Sequence, residues 1–189
     1  MSDPIYTYTM HGQQARVFPF APNWASPVNE IYEWKTEVLR AYDGTEQRRQ
    51  LRTDPRRSFE YSLLQSGDLA AMLENYLWAW HDDYYALPVW TDIGRLSANA
   101  NVTDRTISVV TDTLDFHVDE YAIIWHNPRL FEVIEIESVT STSITAKSGL
   151  AKSWQQGSKI FPLVLAHLPA TVPTQRLSSN VIVGTVAFG

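Results

Sequence analysis

The chain has 189 residues, 44% of them hydrophobic, enough to bury a core in one domain or in one domain with a sizeable insertion. A net charge of −6 and a pI near 5.3 argue against free nucleic acid as a partner of the whole surface, while leaving room for a local basic strip. Cysteine is absent, which excludes a disulfide framework, a thiol nucleophile and a thiolate metal site, and fits folding in a reducing cytosol. The start, MSDPIYTYTMHGQQ, is polar, and no apolar run reaches roughly 18 residues, so neither a signal peptide nor a transmembrane helix is expected. Seven Trp and nine Tyr are many for such a chain; they serve β-rich cores and protein interfaces alike.

In chain order, residues 1–14 read as a loose arm and Arg16–Phe20 as a short strand, followed by a Pro-flanked loop around Trp24. Residues Glu30 to Ala41 alternate as one half-buried strand, with Tyr32, Trp34 and Val38 on the apolar face and mostly charge on the other. Asp43-Gly44 is a hairpin signal, because Gly tolerates the positive φ of a tight turn. The return strand runs from Thr45 to Thr53 and is punctuated by Asp54-Pro55, and Arg57 to Leu64 forms a third strand. Ser66 or Asp68 caps a helix over residues 68–80, whose Leu69, Met72, Leu73, Tyr76, Leu77 and Trp80 recur at helical spacing.

After Leu87-Pro88-Val89-Trp90 the texture changes. Residues 92–104 read as a loop. Short β runs follow at 106–111, 121–125, 130–136, 143–146 and 159–163, separated by turn signals, which suggests a small antiparallel barrel or sandwich. Residues 169–180 read as a linker, and Val181–Phe188 should return to the first sheet. The fold class is therefore mainly β with one principal α-helix. Its expected parts are an arm (1–14), a first β domain (15–91, completed by 164–189) and an inserted small β subdomain (92–163).

The densest feature is Glu30–Tyr61, where Arg48, Arg49, Arg52, Arg56 and Arg57 interleave with carboxylates. It reads as a solvated strand face, as an ion-pair surface between copies, or as a nucleic-acid strip whose potential the nearby acids would partly cancel. The favoured assignment pairs those five arginines with Glu33, Glu37 and Glu46 of a neighbour. Arg suits such a role because its guanidinium engages carboxylates bidentately and so fixes register.

The string FPFAPNW–PVNEIYEWKTEVLRAYDGTEQRRQLRTDPRRSFEY resembles a family of tailed-bacteriophage proteins from the lower end of the tail, the distal-tail or tail-hub components. The resemblance rests on Asn23-Trp24, the Glu33–Thr36 strand, the Gly44–Arg48 turn and Pro55-Arg56. Leu87–Trp90 and Gly157–Pro162 fit the same texture. It implies a tail-tube-like β-sandwich with a flanking helix, whose copies form a ring around a channel and join the tail tube to the baseplate. Implied partners are other copies of the chain (a hexamer, with a trimer left open at a hub), the tail tube protein, and baseplate, hub or fibre proteins. DNA would pass through the channel, with no sequence-specific contact and no membrane. The implied location is the virion tail tip, after assembly in the host cytoplasm.

Chemistry is not expected. A G-x-S-x-G elbow and a Gly-rich phosphate loop are both lacking. His81-Asp82-Asp83 cannot turn three consecutive side chains onto one ion without a special loop, and His117, Asp119 and Glu120 fare no better. No cofactor, metal or catalytic residue is assigned. The alternatives are a glycan- or receptor-binding β-sandwich that uses exposed Trp24 and Trp154, a tail-completion connector, and a wall-degrading enzyme with two distant acids. Core packing is the expected fate of Trp34 and Trp80.

Overall fold

The computed structural model describes residues 7–42, 44–52, 55–78 and 84–189. It is mainly β, 53% strand, with a single short helix and several sheets. In chain order the first strands are β1 (Thr7–Met10), β2 (Gln13–Val17), β3 (Asn29–Glu33), β4 (Thr36–Arg40), β5 (Glu46–Gln50) and β6 (Arg56–Ser66). The helix α1 (Asp68–Trp78) follows, then β7 (Tyr84–Pro88), β8 (Gly94–Arg95), β9 (Thr106–Ser108) and β10 (Tyr121–Asn127). The chain closes with β11 (Leu130–Thr140), β12 (Ser143–Ala146), β13 (Lys159–His167), β14 (Thr174–Ser178) and β15 (Val181–Phe188).

Nine strands form the largest sheet, in the order β1-β2-β7-β13-β10-β11-β12-β9 with β8 on β13; four form a second, β14-β15-β6-β3; β4 and β5 pair only with each other. Alternation in β6 explains the second sheet. Phe59, Tyr61 and Leu63 point inward and meet Phe188, Val186 and Gly184 of β15 in register. This inner face shares one core with α1, which contributes Ala70, Leu73 and Tyr76, and with Phe18, Tyr85 and Leu87 near β2 and β7. Phe18 is its aromatic node, edge-on to Phe20, Tyr85 and Phe188 at 5.2, 5.7 and 5.1 Å.

A second core lies within residues 96–160 and contains Leu96, Ile107, Ile124, Ile136, Ile144 and Ile160. Strands β10 and β13 serve both cores by alternation. Ile123, Phe161 and Leu163 face the first, whereas Ala122, Ile124 and Ile160 face the second. The hydrogen-bonded path around this second core returns on itself, because Leu96 bridges Val109 beyond β9 while β8 pairs with β13. Gly94 makes that approach feasible: a Cβ there would stand 2.8 Å from Ile160 Cγ2 and 3.2 Å from Leu114 and Val109 methyls.

Several expectations are corrected. The single strand from Glu30 to Ala41 is two, broken at Trp34-Lys35: β3 pairs with β6, and β4 pairs with β5. Its apolar face is uncovered, with Tyr32, Trp34 and Val38 all more than half exposed. Residues 7–14 of the expected arm are not loose: β1 and β2 form a hairpin that buries Met10. The linker 169–180 contains β14, an edge strand, and the loop 92–104 contains β8. The boundary expected after residue 163 falls inside β13. Asp43, Thr53, Asp54, Trp80, His81-Asp82-Asp83 and residues 1–6 of the arm lie outside the described residues.

Candidate assembly surface

The ribbon β4–β5 stands off the body. All ten of its strand residues are exposed, so neither face packs on a core. Gly44, at φ 86°, lets the turn close, with its N–H donating to the Ala41 carbonyl at 3.0 Å. Register divides its charges between two faces. On one, Arg40 donates to Glu46 Oε1 at 2.8 Å through Nε, while Arg48 Nη2 lies 3.7 Å from Glu46 Oε2. On the other, Glu37 sits opposite Arg49. Each face also carries apolar side chains, Val38 on the first and Leu39 on the second. An isolated two-stranded hairpin is marginal in water, so this ribbon gains most from a surface to lie on.

The remaining candidates divide between surface and strut. Glu33 and Arg56 face each other in register at the end of β3 and β6, both exposed. Arg52 is half-buried, and its carbonyl accepts a hydrogen bond from Gln50 Nε2 at 2.7 Å. Arg57 is engaged within its own chain. Its Nε donates to Glu30, and its Nη1 donates to Asp115 Oδ2 at 2.8 Å. Around them, the Tyr32 hydroxyl and Thr91 Oγ1 also donate to Glu30, His117 Nε2 lies 2.7 Å from Asp115 Oδ1, and the Asp115 amide donates to Asp92 Oδ2 at 2.9 Å. Burial alone would raise the Glu30 carboxyl; the Tyr32 hydroxyl and the Arg57 guanidinium outweigh it and hold Glu30 below the ordinary value of 4.5. This network ties the four-stranded sheet to the loops at 91–92 and 115–117. Sequence reading missed Glu30, Thr91, Asp92 and Asp115, because sequence carries no mark of contacts made across 58 residues.

The tryptophans separate. Trp24 is 63% exposed, as its loop suggests. Trp154, expected to be exposed, is only 5% so: it seals the second core and donates its indole N–H to Glu132 Oε2 at 2.8 Å. It cannot act as a sugar platform from that position. Trp90, Trp125 and Phe161, which the sequence did not group together, form an edge-on aromatic cluster with centroids 5.0–6.5 Å apart. Among the described residues, no group of three or more His, Cys, Asp or Glu side chains could hold a metal ion, and no helix is long and apolar enough to cross a membrane. No protein-family model matches the chain, and no curated protein matches it either.

Proposed function

We propose that the chain is a structural subunit of a phage tail tip, a ring that joins the tail tube to the baseplate or hub of the virion. The observation that carries this reading is the four-stranded sheet β14-β15-β6-β3. Its two outer strands each have a partner on one side only, and β14 is exposed along its whole length. An open edge is a template for another strand. Rotation of one copy onto the next would set β3 beside a neighbour's β14, a heterologous contact that closes into a ring and leaves no free edge. In this reading the two sheets facing the first core are a tail-tube-like β-sandwich, and the strands returning on themselves around the second core are the inserted barrel.

The charged ribbon would lie across the neighbour. Arg48 and Arg49, with Glu37 and Glu46, are its exposed ion-pairing groups, and Glu33 at the end of β3 adds another exposed carboxylate. Exposed pairs contribute ~0–1 kcal/mol each, so their role is registry more than affinity. Arg57 serves inside the subunit instead. Light scattering on the purified chain over a concentration and salt series tests the assignment. The expected result is a closed ring that loosens with added salt, because screening weakens exposed pairs, and that loosens further in Arg48→Glu/Arg49→Glu. A strict monomer at every concentration would overturn the self-assembling ring.

A further inference from the structure

A cavity of about 440 Å³ opens at the start of β13, walled by Trp24, Trp90, Ile93, Trp125 and Phe161, with Lys159 on its lining. Strand register brings these groups together. Trp125 of β10 sits opposite Lys159 of β13, and Ile123 sits opposite Phe161, so Trp125, Lys159 and Phe161 project from one face of the sheet. The walls are set before any ligand arrives. Trp90 stands edge-on to both Trp125 and Phe161, with centroids 5.3 and 5.0 Å apart, and the Trp125 indole N–H is held by the Pro19 carbonyl at 2.9 Å. Trp24 and Ile93 are the exposed apolar part of the lining.

The polar groups of the lining select the occupant. Thr91 Oγ1 already donates to Glu30 at 3.3 Å, the Trp125 indole is taken by Pro19, and the Trp90 indole nitrogen is buried. A polyhydroxylated sugar would give up its hydrogen bonds to water here and recover few of them. The body of a ligand must therefore be apolar, and ring walls suit a flat ring, which meets them edge-on or offset. One charge remains. The Lys159 ammonium lies 5.5 Å from the Trp125 ring centroid and has no carboxylate within ion-pair distance among the described residues. Glu30, which accepts from Thr91, is already matched by Arg57. In a chain of net charge −6, an unmatched cation set against aromatic walls is a local exception. An anion brought to it would be shielded from water by the same walls, which strengthens the pair.

We propose that this cavity binds a small aromatic carboxylate, with its ring against Trp90, Trp125 and Phe161 and its carboxylate on the Lys159 ammonium. The volume falls within the roughly 300–1,000 Å³ of small-molecule sites, and a mostly apolar lining with one placed charge is their usual composition. The assignment stands apart from ring assembly, because no lining residue belongs to the ribbon or to the open edge strands β3 and β14. A monomeric chain would bind as well as an assembled one.

Isothermal titration calorimetry of the full chain with 2-naphthoate tests it. The controls are 2-naphthalenemethanol, which keeps the rings without the charge, and glucuronate, which keeps the charge on a polyhydroxylated ring. 2-Naphthoate is expected to bind once per chain, about tenfold or more tighter than either control. Lys159→Met keeps an unbranched apolar stem and removes the charge; it should bring 2-naphthoate down to the level of the alcohol and leave the alcohol unchanged. Trp24→Ala, which trims an exposed side chain, should weaken both. Equal affinity of the wild type for acid and alcohol overturns the role of Lys159 without recourse to any variant. Glucuronate that binds as tightly as 2-naphthoate overturns the aromatic assignment. Absence of 2-naphthoate binding, or binding indifferent to both Lys159→Met and Trp24→Ala, overturns the site.

Discussion

Arg57 and Glu30 show how one side chain changes its meaning with its partner. In sequence Arg57 is one of five similar arginines; in the fold it is half-buried between Glu30 and Asp115 and links two regions of the chain. Removing it leaves Glu30, only 17% exposed, without its counter-charge. Arg57→Ala should therefore cost about 1–3 kcal/mol, whereas Arg48→Ala on the open ribbon should change stability by less than about 0.5 kcal/mol; urea unfolding of the two variants checks the contrast. The pH dependence has a defined sign. Glu30 is held below its ordinary value of 4.5, so its contribution is full above that value and is lost as the pH falls through the lower folded value. The wild type should lose this part of its stability below about pH 4.5, and Glu30→Gln, already without it, should show a flatter acid limb in unfolding titrations. Gly94 is the second sensitive position. Gly94→Ala would force its new methyl against the fully buried Ile160, where nothing can yield, and should destabilise by about 1–3 kcal/mol in the same assay.

At the scale of elements, β4–β5 and α1 behave in opposite ways. The helix is held by burial: Ala70, Leu73 and Tyr76 lie against the aromatic core; of the apolar face expected from spacing, Leu73 and Tyr76 are buried, Leu69, Met72 and Leu77 are half-buried, and Ala70 was not foreseen. The ribbon has only its own cross-strand pairs, worth roughly 0.2–1 kcal/mol each. Its amides should exchange with solvent much faster than those of β6 or β15 in the free subunit, and should gain protection on assembly. Limited trypsinolysis should cut first at Arg40, Arg48 or Arg49 and leave the melting temperature of the body unchanged. Mass spectrometry of the nicked product and a thermal scan read both outcomes. Early cleavage within β6 or β13 instead would show that the ribbon is not the weakest element.

For the whole molecule, the consequence of interest is cooperativity. Residues 92–163 read in sequence as a separate inserted unit, yet β10 and β13 each present one face to the first core and the other to the second. Two cores that share two strands cannot unfold independently without exposing apolar faces of both. Tryptophan fluorescence, with Trp90 and Trp125 at the first core and Trp154 in the second, and far-UV circular dichroism should therefore report one coincident transition. Ile124→Ala, in the second core, should cost roughly 2–5 kcal/mol and lower the midpoint of both signals together. Two separated transitions would show that the shared strands do not couple the cores.

The sequence by itself determined the class of this protein and most of its strands. Period-2 alternation in β6, β10 and β15, the spacing within α1 and the Gly44 turn all act locally, and local chemistry is what a sequence displays. Its arginine–carboxylate stretch and its exposed Trp24 were also legible as surface features. What alternation does not encode is whether anything covers an apolar face. Tyr32, Trp34 and Val38 alternate as well as Phe59, Tyr61 and Leu63, yet only the second set finds a sheet and a helix to pack on. The tertiary structure alone decided this, together with the pairing of Arg57 with Glu30 and Asp115, the burial of Trp154 on Glu132, and the meeting of Trp90, Trp125 and Phe161 in one cavity. Each depends on which distant segment arrives beside a residue, and that is set by the packing of whole sheets.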